Sequence, residues 1–126
     1  MTASRHLLDS SAWLSYVFTG GEHIKEIIDG ENILYTSVLS LFEIKRRLLK
    51  EDTPNDMIEK FMHLITVKSL IIKLDEETCR QAAEISWKEG LAAIDALICA
   101  VSLSQNTILV TGDNDFRGKK DVLMIG

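Results

Sequence analysis

Short apolar runs alternate with longer segments of helical period along most of the chain, and no other feature restricts the fold as strongly. His6 to Asp9, Ile33-Leu34-Tyr35, Leu70-Ile71-Ile72, Thr107 to Thr111 and Val122 to Ile125 each have the length and side chains of a buried strand. Between them, apolar residues recur at helical spacing, as Val38, Leu41, Phe42, Leu48 and Leu49 do. The spacing predicts helices over Ala12 to Phe18, Glu22 to Asp29, Ser37 to about Lys50, and from a Thr53-Pro54 opening to about Leu64. Two more follow, one from an Asp75 cap through Trp87 to a stop at Gly90, and one around Asp95 ending near Gln105-Asn106. Ser10 and Ser11 are expected to cap the first helix. Strands and helices in alternation, with connections long enough for crossovers, specify an α/β fold with a parallel sheet covered on both faces. The 126 residues suit one domain, 1–126, with no repeat, linker or low-complexity stretch.

Asp95 is the only polar residue between Leu91 and Val101. Removing such a carboxylate from water costs on the order of several kcal/mol, so it needs hydrogen bonds, a base or a metal ion. Three more acids sit at apolar edges: Asp9 after Leu7-Leu8, Glu43 between Phe42 and Ile44, and Asp113 shortly after Ile108-Leu109-Val110. Asp9 and Asp113 fall at strand ends, while Glu43 and Asp95 fall early in helices starting from the same rim. Ligands in open parallel sheets collect at the carboxyl ends of the strands, so the four acids are expected to share one metal site.

The net charge of −5 argues against holding nucleic acid by bulk electrostatics, but a divalent cation would reverse the sign locally at an acidic cluster. Basic residues gather after two of the acids: Lys45, Arg46, Arg47 and Lys50 follow Glu43, and Arg117, Lys119 and Lys120 follow Asp115. They are either solvated faces or phosphate contacts. No apolar run reaches the roughly 20 residues of a membrane span, and the polar N-terminus lacks a signal-peptide core, so a cytoplasmic protein without membrane contact is expected. Cys79 and Cys99 read as small buried hydrophobes, and His6, His23 and His63 have no ligand-like spacing. Trp13 and Phe116 are assigned to the rim of the core, and Trp87 to the core.

LLDSSAWL around Asp9, SLFEIKRRL around Glu43, AAIDALICA around Asp95 and LVTGDNDF around Asp113 together resemble the PIN domains, in particular the VapC-type toxins of prokaryotic VapBC toxin–antitoxin systems. Each motif alone is weak; the ordered set, from residue 7 to residue 116, is specific. The resemblance implies a PIN-like three-layer α/β/α fold with sheet order 3-2-1-4-5. It implies that Asp9, Glu43, Asp95 and Asp113 bind Mg²⁺ or Mn²⁺, with Asp115 as an additional acid and the hydroxyls of Ser10 and Thr111 supporting the cluster. It also implies a homodimer and a VapB-like antitoxin that blocks the site. The expected reaction is endonucleolytic hydrolysis of RNA by a metal-activated water, with Arg46, Arg47, Arg117, Lys119 and Lys120 as candidates for backbone contacts.

Each acid also has an ordinary structural role open to it. Asp9 could cap the following helix, Glu43 could pair with Arg46 or Arg47, Asp113 could be a turn residue, and Asp95 could accept first-turn N–H groups. Phosphohydrolases of the haloacid dehalogenase type share a strand-one aspartate and a Gly-Asp pair, but require an aspartate where this chain has Ser11. Within the resemblance, an RNA-processing nuclease that is not a toxin and a non-catalytic interaction module are the alternatives.

Overall fold

Arg5–Leu8 (β1), Ile33–Ser37 (β2), Leu70–Ile72 (β3), Ile108–Thr111 (β4) and Val122–Met124 (β5) form one sheet in the computed structural model, which describes residues 4–125. The strand order is β3-β2-β1-β4-β5, and all four pairings are parallel. This is the expected sheet. Consecutive side chains of each central strand go to opposite faces: Leu8 and Val110 pack into one apolar core, Leu7 and Leu109 into another.

The first core lies under Ser10–Leu14 (α1), Glu22–Asp29 (α2), Val38–Lys50 (α3) and Asn55–Lys68 (α4); the second lies under Glu76–Glu89 (α5) and Ala93–Ser104 (α6). Trp13 is fully buried and donates from Nε1 to Thr36 Oγ1 at 3.0 Å, tying α1 to β2. Phe116 is likewise buried. Both therefore serve the core, as expected.

Several elements depart from the expected boundaries. Neither serine caps α1: Asp9 does so itself, its carboxylate accepting from the Ala12 N–H at 3.0 Å, so Ser10 and Ser11 are already helical. The helix expected to reach Phe18 changes at Ser15 into a single π-helical turn, Ser15–Thr19, closed by Gly20 at φ 68°. Pro54 precedes α4 in extended geometry instead of occupying its first turn, and the helix runs on past Leu64 because Ile65 continues the buried row of Ile58 and Phe61. Trp87 is not core but 88% exposed, since α5 turns Thr78 and Ala82 inward and Trp87 lies on another side. Cys79 is exposed and Cys99 half-buried, so they are not the buried pair expected, though both are free thiols. His6 is buried in β1, whereas His23 and His63 are exposed.

Candidate metal centre

The carboxyl ends of β1 and β4 and the N-terminus of α6 meet at one rim, and each delivers an acid there. Asp9 directly follows β1 and is 6% exposed. Its Oδ1 accepts from Ser11 Oγ at 2.6 Å and from the Ala12 N–H at 3.0 Å, and its Oδ2 accepts from Thr111 Oγ1 at 2.5 Å. Burial pushes the Asp9 carboxyl above its ordinary range, while these three donors and the neighbouring Asp113 pull in opposite directions. The hydroxyls fix the carboxylate in one orientation.

Asp113 and Asp115 follow β4 in a tight turn, in which Asp115 N–H donates to Asp113 Oδ1 at 2.9 Å and Asp113 N–H donates to Thr111 Oγ1 at 3.0 Å. Asp95 stands in the first turn of α6. One carboxylate oxygen from each of Asp95, Asp113 and Asp115 lies within 4.8 Å of the other two. Burial, followed by the charges of Asp113, Asp115 and Asp9, raises the Asp95 carboxyl to about 6. Three carboxylates crowded this closely constitute an anionic pocket with a deficit of positive charge.

Glu43 reaches the rim from α3, where Ser10 Oγ donates to its Oε1 at 3.4 Å. Burial and then the charges of Asp9, Asp95 and Asp113 push its carboxyl upward. The four acids singled out in the sequence therefore share one electrostatic site, but not as equals. Asp115, treated as an addition, belongs to the tightest trio, whereas Asp9 and Glu43 stand beside it. Ser10 and Thr111 contact Glu43 and Asp9 respectively.

A model of the family described as "PIN domain" matches residues 6–121. The chain belongs to the PIN domain family. No relative was found among curated protein sequences. Among solved structures, this PIN domain is similar to a toxin–antitoxin complex from Klebsiella pneumoniae, at 18% identity and TM-score 0.73 over 98% of this chain and 97% of that one. It is also similar to VapBC2 from Rickettsia felis bound to a DNA fragment from their promoter, at 15% identity and TM-score 0.75 over 96% and 97%. A third, VapC20 of Mycobacterium tuberculosis, described as a sarcin-ricin loop cleaving toxin, matches at 16% identity and TM-score 0.73 over 91% and 95%.

The basic residues of this PIN domain are placed unequally. Arg46, Arg47 and Lys50 line a cleft of about 480 Å³ together with Ser10, Ser11 and Glu43, so they adjoin the acids. Arg47 is also paired with Glu51 at 3.1 Å. The Arg117 guanidinium donates to Asn114 Oδ1 at 2.8 Å, in the turn that carries Asp115. Lys119 is engaged by Glu89 at 2.7 Å. Lys120 lies beside Ser102 and Leu103, at the end of α6 remote from Asp95, and is not brought to the rim. Ser11 was missed as a site residue: its Oγ donates to Asp9 and accepts from the Gly112 N–H at 2.8 Å, joining the two strand ends. The available signal was its position, two residues after a strand-end aspartate, where a helical first turn folds the side chain back onto its cap.

Proposed function

We propose that this PIN domain is a Mg²⁺- or Mn²⁺-dependent endoribonuclease, the toxin of a toxin–antitoxin pair. The observation that carries the reading is the trio of Asp95, Asp113 and Asp115, with oxygens within 4.8 Å of one another at the carboxyl end of a parallel sheet. The donor set fits the ion: hard oxygen ligands suit Mg²⁺ and Mn²⁺, and carboxylates held this close are relieved of repulsion by a divalent charge. A cation there would supply the Lewis acidity that readies a water for attack and stabilises the departing oxygen of a phosphodiester.

The chain's own groups divide the remaining work. Asp95, Asp113 and Asp115 would hold the ion, with Asp9 and Glu43 completing the acidic wall, and all but Asp115 are the residues proposed as catalytic. Thr111 and Ser11 hold the Asp9 carboxylate in place, and Ser10 steadies Glu43. Arg46 and Arg47 line the cleft beside Glu43, and in this reading they would meet phosphates of a bound RNA strand. The substrate is RNA, and a VapB-like antitoxin is the controlling partner, a reading supported by the similarity to toxins solved with their antitoxins. The toxin would act as a homodimer in the cytoplasm; no helix among the described residues is long and apolar enough to cross a membrane.

Incubating purified, antitoxin-free protein with defined tRNA and rRNA fragments tests the reading. Cleavage in Mg²⁺ or Mn²⁺, abolished by EDTA and reduced roughly a hundredfold or more by Asp95→Asn, is expected. Cleavage that survives EDTA, or that Asp95→Asn leaves unchanged, would overturn it.

A further inference from the structure

Helix α1 is five residues long, too short to be stable by itself, yet it carries groups that touch two of the acids. Asp9 caps it, Ser11 Oγ donates to Asp9, and Ser10 Oγ donates to Glu43. Its place on the sheet therefore depends on what its buried side holds. That side is Ala12 and Trp13, both without solvent exposure. The Trp13 indole opens a chain of hydroxyls: Nε1 donates to Thr36 Oγ1 at 3.0 Å, Thr36 Oγ1 lies 2.7 Å from Ser69 Oγ, and Ser69 Oγ donates to the Ile65 carbonyl at 2.7 Å. Each hydroxyl has one proton, so the direction of the chain is fixed. With the Ser69 proton on the Ile65 carbonyl, Thr36 donates to Ser69 and accepts from the indole. Thr36 is fully buried in β2, and Ser69 caps the end of α4, so the chain joins three elements.

We propose that this buried chain sets the placement of α1, and that Thr36 is thereby a positioning residue of the metal centre, acting through Trp13 on Asp9. The inference rests on the reading of the acids as a divalent-cation site. Two of the three donors that orient the Asp9 carboxylate, Ser11 Oγ and the Ala12 N–H, belong to α1, and Ala12 adjoins the anchored tryptophan. The Trp13 N–H in turn donates to the Asp9 carbonyl at 3.3 Å, closing the single turn between anchor and cap. A helix this short moves as one body, so a shift of the indole displaces both donors and the Ser10 hydroxyl with it. An exposed clamp runs beside the buried one: Tyr16, edge-on to Trp13 with ring centroids 6.2 Å apart, donates to Asp29 at 2.7 Å, and Lys68 reaches the same carboxylate oxygen at 3.4 Å.

The competing account is that Thr36 only satisfies a buried indole. Thr36→Val keeps the shape and leaves the indole N–H buried without an acceptor, so both accounts expect a lower melting temperature. They part over the metal site. A structural role changes stability alone, whereas a positioning role lowers metal affinity through Asp9 and loses that effect once Asp9 is replaced.

Calorimetric titration of the metal-free protein with Mn²⁺ tests this, with thermal melting to verify folding. Thr36→Val should raise the dissociation constant roughly three- to tenfold, somewhat less than substitutions that touch a metal ligand directly. Thr36→Ser, which keeps the hydroxyl, should bind as the unsubstituted protein does. In an Asp9→Asn background Thr36→Val should add less than about twofold, as for two residues acting in series. Ser69→Ala breaks the chain at a half-buried hydroxyl and should weaken binding in the same direction, which keeps the test available if Thr36→Val does not fold. Mn²⁺ affinity unchanged in the folded variants, or the same fold loss with and without Asp9, would overturn the proposal. Failure of the unsubstituted protein to bind Mn²⁺ would instead remove the cation site itself, and the positioning role with it.

Discussion

At the residue scale the site consists of carboxylates in unequal environments. Asp95 is conspicuous in the sequence because its neighbours are apolar, but the most deeply buried acid is Asp9, whose three donors satisfy it internally. A linear reading sees the polarity of neighbours in sequence; only the family resemblance brought in Thr111, a hundred residues away, which returns to the same carboxylate. The raised Asp95 carboxyl has a consequence for stability. Its folded value, about 6, lies above the ordinary 3.8, so the folded protein binds a proton more tightly than the unfolded chain. That contribution is full below about pH 4 and is lost as pH rises through 6. In EDTA, the melting temperature of Asp95→Asn should therefore exceed that of the unsubstituted protein by a few degrees at pH 7.5, and the gap should close near pH 4. An equal gap at both pH values would mean that Asp95 is not destabilised by its neighbours.

At the scale of elements, the residues that place the acids are those ending the strands and starting the helices. Gly90 closes α5 at φ 70°, and Ser86 Oγ donates to the Leu91 carbonyl at 2.6 Å, so the link into α6 is short and fixed, and Asp95 starts where the rim needs it. Gly90→Ala should cost about 1 kcal/mol from the left-handed backbone alone, a fall of about 3–5 °C on melting. No change would show that the turn relaxes. The strands, their order and most helices were legible because period and punctuation coincide there, as at Asp75 and Gly90. The misreadings have separate causes. Asp9 rather than a serine caps α1 because its carboxylate reaches the third N–H on; α4 outruns its expected end because Ile65 packs inward despite the β-branched residues beyond it. Trp87 was misassigned because hydrophobicity reports a preference for burial, not the direction in which a helix turns.

For the whole molecule, a net charge of −5 leaves local placement to decide any contact with RNA. Of the five basic candidates only Arg46 and Arg47 line the cleft beside Glu43, while Lys119 is held by Glu89 and Lys120 lies away from the rim. Replacing Arg46 and Arg47 by Ala in a catalytically silenced background should weaken RNA binding and reduce the slope of log affinity against log salt by roughly 1 to 2, as for one or two lost phosphate contacts. An unchanged slope would route the strand elsewhere. The central claim is that the acids at the sheet's carboxyl edge form one divalent-cation site. Calorimetric titration of the metal-free protein with Mn²⁺ measures this without a substrate. Binding that weakens by roughly tenfold or more in both Asp95→Asn and Asp113→Asn, with the fold intact, is the predicted result. Binding indifferent to both substitutions, or none to the folded protein, would contradict it.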